Sequence, residues 1–287
     1  MDNDFDYKII KPDKSFADFI ESFWLLKNNS DNDKDVVILP DGRIDLFFSQ
    51  SAIEPFHITL SGLETHPDQA TLAAKTIMFA ISFKLLATEY IFQDTVSNLV
   101  DNAKYLPVDF WHFNANDLQD FDHFYQKASQ KIQSLLPTAI DNKKQKLFDL
   151  IYSSNGALTV QELSEKVAWS SRQINRYFNQ QFGISLKAYC TILRFRASFS
   201  HIKEGKLFPQ QDFADQSHFI KEVKKLSGYL LKNLNETKTT DLYNFQCLSQ
   251  NNFVLLIKSK RHEITRQKNC YRGRWSRWTN FSNAFTA

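Results

Sequence analysis

Nine residues in the second half of the chain have side chains of the kind that read nucleic acid. Ser171, Arg172, Gln173, Asn175 and Arg176 fall in one short stretch, and Gln216, Ser217, His218 and Lys221 in another. An arginine fork meets guanine O6 and N7, an Asn or Gln amide pairs with adenine, and Ser and Lys reach base edges or phosphates. Taken singly, each has a blander use. Arg172 and Arg176 alone would be solvated surface, and His218 alone would cap a helix. Spacing has to decide.

The segment LTVQELSEKVAWSSRQINRYFNQQFG, residues 158–183, carries the punctuation of two short helices. Thr159 followed by Glu162, and Ser170 followed by Gln173, are successive capping boxes. Val160, Leu163 and Val167 give the first helix an apolar face, and Ile174 and Phe178 do the same for the second. Gly183 closes the second helix where a left-handed residue is needed. Two helices with so tight a joint predict a helix-turn-helix, with the polar set from Ser171 to Arg176 on its outer face.

The second polar stretch is a copy of the first. A shift of 45 residues places Ile174 on Phe219, Arg176 on Lys221, Phe178 on Val223 and Gly183 on Gly228. Ser171, Arg172 and Gln173 then fall on Gln216, Ser217 and His218, and Asp215 becomes the predicted N-cap. Recognition helices present base-reading residues at their N-terminal ends, which accounts for the polar start of both copies. Between them, Tyr189, Ile192, Leu193, Phe199 and Ile202 recur at helical intervals. A connecting helix of about 18 residues spans about 27 Å, near the roughly 34 Å that separates successive major-groove segments on one DNA face.

These residues resemble the DNA-binding domain of AraC/XylS-type transcription regulators. The marks are LTVQELSEKVAWSSRQINRYFNQQFGISLKAY, then LRFRAS, then FADQSHFIKEVKKLSGYLLKNL, in order, over residues 144–238. The resemblance implies two helix-turn-helix units reading adjacent major-groove segments, with Arg172, Asn175, Arg176, Ser217, His218 and Lys221 facing bases. More loosely, the region around ILPDGRIDLFFS resembles the β-rich sensor domain often found ahead of it. The chain departs from the family where Leu186 and Leu231 stand in place of proline after each closing glycine. Gly205 and Pro209 also interrupt the first helix of the second unit, so that helix is expected to be short or irregular.

Charge follows the same division. Residues 1–142 hold 11 Lys/Arg and 22 Asp/Glu, residues 143–238 hold 16 and 8, and residues 239–287 hold 8 and 2. An acidic first part followed by a basic remainder fits contact with a polyanion, although basic faces are also common as plain solvated surface. In the first part, FHITLSGL and TIMFAISFKL have strand composition, and Pro40-Asp41-Gly42 marks a turn between two apolar runs. FADFIESFWLL reads as helix or strand. Residues 116–136 read as a helix, serving either dimerisation or packing on its own domain, and TAIDNKKQ reads as a linker.

The expected fold class is an α+β N-terminal domain, a small β-sheet or half-barrel with helices, at 1–142. An all-α domain with two helix-turn-helix units follows at 143–238, then a basic tail at 239–287 that is either a disordered arm or an extension without function. Scattered cysteines, an acidic start and the lack of a long apolar run fit a cytoplasmic protein with no membrane span. No catalytic motif, cofactor fingerprint or metal spacing is present. His112 and His123 lie too far apart for a local zinc site.

The function expected is that of a bacterial, sequence-specific transcription regulator, taken as an activator, and not an enzyme. Its partner would be double-stranded DNA. The resemblance also allows RNA polymerase, a small-molecule effector without assigned pocket residues, and a second copy of the chain. Two rivals stand beside it. One is a ligand-binding protein or enzyme working through the N-terminal part, whose polar candidates Asp41, Arg43, Asp45 and Glu64 read as turn and rim residues. The other is an architectural DNA binder driven by the basic tail.

Overall fold

The computed structural model describes residues 4–203, 216–229 and, as backbone, 255–257. Eight strands come first: β1 (Phe5–Ile10), β2 (Ile20–Asn28), β3 (Lys34–Ile38), β4 (Ile44–Gln50), β5 (His57–Ser61), β6 (Asp68–Leu72), β7 (Ile77–Phe83) and β8 (Ala103–Leu106). Six of them form an antiparallel sheet in the order β1-β2-β7-β4-β5-β8. A second sheet has the order β6-β3-β9, in which β9 (Leu255–Ile257) comes from the basic tail and pairs Val37 with Leu256. The ambiguous FADFIESFWLL is thus mainly strand, preceded by a single 3-10 turn at Lys14–Phe16.

Both faces of the large sheet are buried, which explains why its strands are apolar almost without interruption. On one face Trp24, Phe47, Met78 and Ala80 pack against Val36, Ala70 and Leu72 of the smaller sheet. On the other, Phe23, Ile44, Leu46, Phe48, Phe79 and Ile81 meet the helices. Helix α1 (Leu86–Tyr90) follows β7, and α2 (Phe121–Leu135) lies across the sheet, with the Phe124 ring 5.1 Å from Phe48 and 5.3 Å from Phe79. Phe121, Phe124, Ala128 and Ile132 are all buried in this way. The apolar face of α2 is therefore spent within the chain, and the dimerisation alternative for that face is set aside.

The helical part begins earlier than the polar TAIDNKKQ suggested. Asp141 caps α3 (Asn142–Ser153) by accepting from the N–H groups of Lys143 and Lys144, so half of the expected linker is helix. Next come α4 (Val160–Val167), α5 (Ser171–Phe182), α6 (Leu186–Lys203) and α7 (Gln216–Ser227). The core of the helical part is continuous with that of the sheet, running from Phe79 and Phe83 through Phe148 and Phe178 to Phe195, Phe219 and Val223. Among the described residues, no helix is long and apolar enough to cross a membrane.

Candidate nucleic-acid interface

Both expected capping boxes are formed. The Thr159 hydroxyl accepts from the Glu162 N–H while Glu162 Oε2 accepts from the Thr159 N–H, at 3.2 and 2.7 Å. Ser170 and Gln173 repeat the exchange at 3.3 and 3.1 Å, which starts α5 after only three residues beyond the end of α4. Ala168 makes the joint with a left-handed φ of 50°. Gly183 ends α5 at φ 74° and Gly228 follows α7 at φ 75°, so the two copies close alike. Leu186 opens α6, and that helix has the expected 18 residues.

Burial divides α5 by side. Ile174, Tyr177, Phe178 and Phe182 are buried, whereas Arg172, Gln173 and Arg176 are exposed, and Ser171 and Asn175 are half-buried at the edge. Two of these side chains already have local work. Gln173 Oε1 is engaged by Ser170, and Asn175 Nδ2 donates to the Ser171 carbonyl at 3.1 Å. That leaves the two arginines as the extended donors of the face. On α7, Gln216, Ser217, His218 and Lys221 are exposed, while Phe219, Val223 and Leu226 are buried. His218 lies 4.0 Å from Glu222 one turn on. The expected cap Asp215, the interrupted helix at 204–211, Leu231 and the tail apart from 255–257 lie outside the described residues.

Two of the contacts between the sheet domain and this helical part bear on α5 and α6. At the first, Glu89 of α1 accepts from the Tyr177 hydroxyl of α5 at 3.1 Å and pairs with Lys144 of α3. Beside it, the Val96 N–H donates to the Gln181 carbonyl at 2.9 Å. Burial, then the Glu89 charge, pushes the Tyr177 hydroxyl pKa well above the usual tyrosine range, so it stays a donor. At the second, the turn before β4 is wedged under α6. Gly42 takes φ 77°, and an added Cβ would lie 3.1 Å from both Leu193 and Tyr189. The Tyr189 hydroxyl donates to the Gly42 carbonyl at 3.1 Å and lies 3.2 Å from the Tyr152 hydroxyl.

Charges cluster beside this turn. Glu21 of β2 accepts from Arg43 at 3.0 Å through one oxygen and from Arg196 of α6 at 3.2 Å through the other. Burial would raise the Glu21 pKa, but Arg43, Arg196 and the neighbouring lysines outweigh it and hold the carboxyl at about 2. Burial lowers the Arg196 pKa, aided by the like charge of Arg43. Asp41 accepts from the Arg43 N–H at 2.9 Å, and burial raises its pKa. Asp41, Arg43 and Asp45 are all buried, so the expectation of rim residues fails for these three. The turn that holds Asp41 and Arg43 lies against α6, Asp45 sits behind Ser82 and Trp24, and each of the three finds a polar partner in place of water.

Asp45 itself accepts from Ser82, which in turn accepts from the Trp24 indole at 3.0 Å. Glu64, His66 and Asp101 bring their potential ligand atoms within 4.8 Å of one another. Asp101 there is already a staple, accepting from the Thr65 N–H and hydroxyl at 2.7 and 2.6 Å.

The family model for a domain of unknown function, DUF6597, matches residues 8–104. A search of the curated proteins finds no match. Among solved structures, the chain is similar to ToxT from Vibrio cholerae, at 13% identity over 81% of this chain and 98% of that one, with a TM-score of 0.38. Wild-type ToxT from strain SCE256 bound to an unsaturated fatty acid gives 13%, 81%, 95% and 0.36. ToxT from strain O395 bound to (E)-4-(8-methylnaphthalen-1-yl)but-3-enoic acid gives 14%, 81%, 98% and 0.36.

Sequence reasoning missed Glu21, Glu89, Tyr177 and Arg196 as contacts between the two parts. One signal was available for Arg196. It sits between Phe195 and Phe199 on a helix otherwise apolar on that side, where a lone charge requires a partner.

Proposed function

We propose that this chain is a sequence-specific DNA-binding transcription regulator that reads two adjacent major-groove segments through α5 and α7. One observation carries the reading. Two helices of the same length, 45 residues apart and closed by matching left-handed glycines, bury matching apolar residues and expose polar and basic ones at their N-terminal ends. A solvated surface has no reason to repeat in this way. Arg172 and Arg176 are the principal readers of the first unit, and Ser217, His218 and Lys221 those of the second. Ser171, Gln173, Asn175 and Gln216 sit beside them as supporting contacts. The sheet domain, gripping α5 and α6, is the part through which an effector or a second copy would act on DNA occupancy, and RNA polymerase is the partner that such occupancy would serve.

The test is selection of binding sites from a random DNA pool with the full-length protein near physiological salt. The expected result is a motif with two sub-sites about one helical turn, roughly 34 Å, apart. Arg172→Ala and Lys221→Ala should each weaken binding to that site by about 1–3 kcal/mol and relax the base preference at one position. Retention of no motif, with binding that collapses as salt rises, would replace this reading with non-specific phosphate binding.

A further inference from the structure

Three residues of the connecting helix α6 that meet the sheet domain share one stripe. Tyr189, Leu193 and Arg196 stand at positions i, i+4 and i+7, which an α-helix brings onto one face. Tyr189 donates to the Gly42 carbonyl, Leu193 lies over Gly42, and Arg196 pairs with Glu21. The outer two contacts are seven residues apart, about 10 Å along the helix axis. One anchor would leave α6 free to pivot on the sheet. Two anchors that far apart fix its direction.

Both anchors converge on one short element. Gly42 and Arg43 follow each other in the turn, and Glu21 bridges Arg43 to Arg196. The turn leads directly into β4 and follows β3, so it joins the two sheets. A shift between the sheets therefore moves both anchors at once. α6 also packs on α5 and α7, the two helices that carry the readers, and the Tyr189 ring itself lies 5.8 Å from Phe178 of α5.

We propose that Tyr189 and Arg196 are positioning residues: by pinning α6 to the 40–43 turn at two points, they set the spacing and relative angle of the two reading helices. The sheet domain then selects which separation of sub-sites the protein accepts. This rests on the DNA-reading function proposed above and adds to it the means by which the other domain governs it. Neither residue faces the readers' outer surface, so base preference within a sub-site is independent of them.

The experiment uses the full chain, Arg196→Met, which keeps the aliphatic stem, and Tyr189→Phe, which removes one oxygen. Affinity is measured for the selected site and for versions with one base pair inserted or deleted between the sub-sites, and hydrogen exchange is followed across residues 186–199. In the unmodified protein a one-pair change should weaken binding at least tenfold. In Arg196→Met that penalty should fall several-fold, base preference within each sub-site should be kept, and exchange in α6 should quicken at least tenfold. An unchanged spacing penalty, or altered base preference at constant penalty, overturns the proposal. If Arg196→Met does not fold, Tyr189→Phe carries the same measurements with the same two outcomes. If the unmodified protein selects no motif, the DNA reading fails by itself. The positioning role is then decided by exchange alone, where unchanged protection in both variants refutes it.

Discussion

Replacing Gly183 or Gly228 with alanine makes a matched pair of perturbations. Both glycines hold left-handed backbone, at φ 74° and 75°, so both variants incur the same conformational cost of roughly 1–2 kcal/mol. Their surroundings differ. At Gly228 the added Cβ meets Pro67 Cγ at 3.4 Å, a contact that can relax. At Gly183 it would lie 2.5 Å from Val100 Cγ2, 2.6 Å from the Ser97 carbonyl oxygen and 3.0 Å from Ser97 Cα. Two of those are backbone atoms in the loop that also bonds Gln181, so the loop must move away from α5. Overpacking of this kind adds about 1–3 kcal/mol. Urea denaturation of both variants, fitted with a common m value, should therefore place Gly183→Ala below Gly228→Ala by about 1–3 kcal/mol. Equal losses would mean that the sheet domain does not press on the end of α5, and the tight joint between the parts would be refuted.

Three further outcomes follow from particular side chains. Burial, reinforced by the Asp41 charge, holds the Asp45 carboxyl at about 7, above its ordinary 3.8. The folded chain therefore keeps this proton longer than the unfolded one, and the contribution is complete below the ordinary value and lost as pH rises through 7. Asp45→Asn retains the acceptor for Ser82, so its stability relative to the parent should climb between pH 4 and pH 7, by up to about 4 kcal/mol, and then level off; a flat difference counts against the buried carboxyl. Ser170→Ala should cost about 1 kcal/mol in thermal unfolding by removing a cap from α5, with Gln180→Ala on the same helix costing less. Glu89→Gln weakens its ties to Lys144 and Tyr177, and exchange at the α5 amides should quicken, whereas unchanged exchange would show the clamp to be idle.

What was legible beforehand was what obeys local rules. The Ser170 and Thr159 caps, the Gly183 closure and the turn at Pro40-Asp41-Gly42 each depend on residues within four of one another, and each formed. The polar character of Asp41, Arg43 and Asp45 was equally visible, but their burial was not. It depends on partners remote in sequence, among them Glu21 and Arg196, which are 175 residues apart, and Ser82, 37 residues from Asp45. Gln173 shows the opposite limit. Its type marked it as a reader and its spacing from Ser170 as a capping residue, and the geometry shows its oxygen held by the cap. FADFIESFWLL stayed ambiguous between helix and strand because Trp24 and Phe23 face opposite sides of a sheet covered on both, leaving no wet face to give a polar alternation.

The pairing of β9 with β3 also sets a timetable for making the protein. Val37 leaves the ribosome long before Leu256, its partner, has been added. At roughly 5–20 residues per second the wait is about 10–40 s. Throughout it, one edge of β3, with Val36 and Val37 beside it, has no strand from its own chain to pair with. A nascent chain in that condition is a natural client for chaperones that cover strand edges. Slowing translation in the last fifth of the message would lengthen its exposure without altering a single residue of the product.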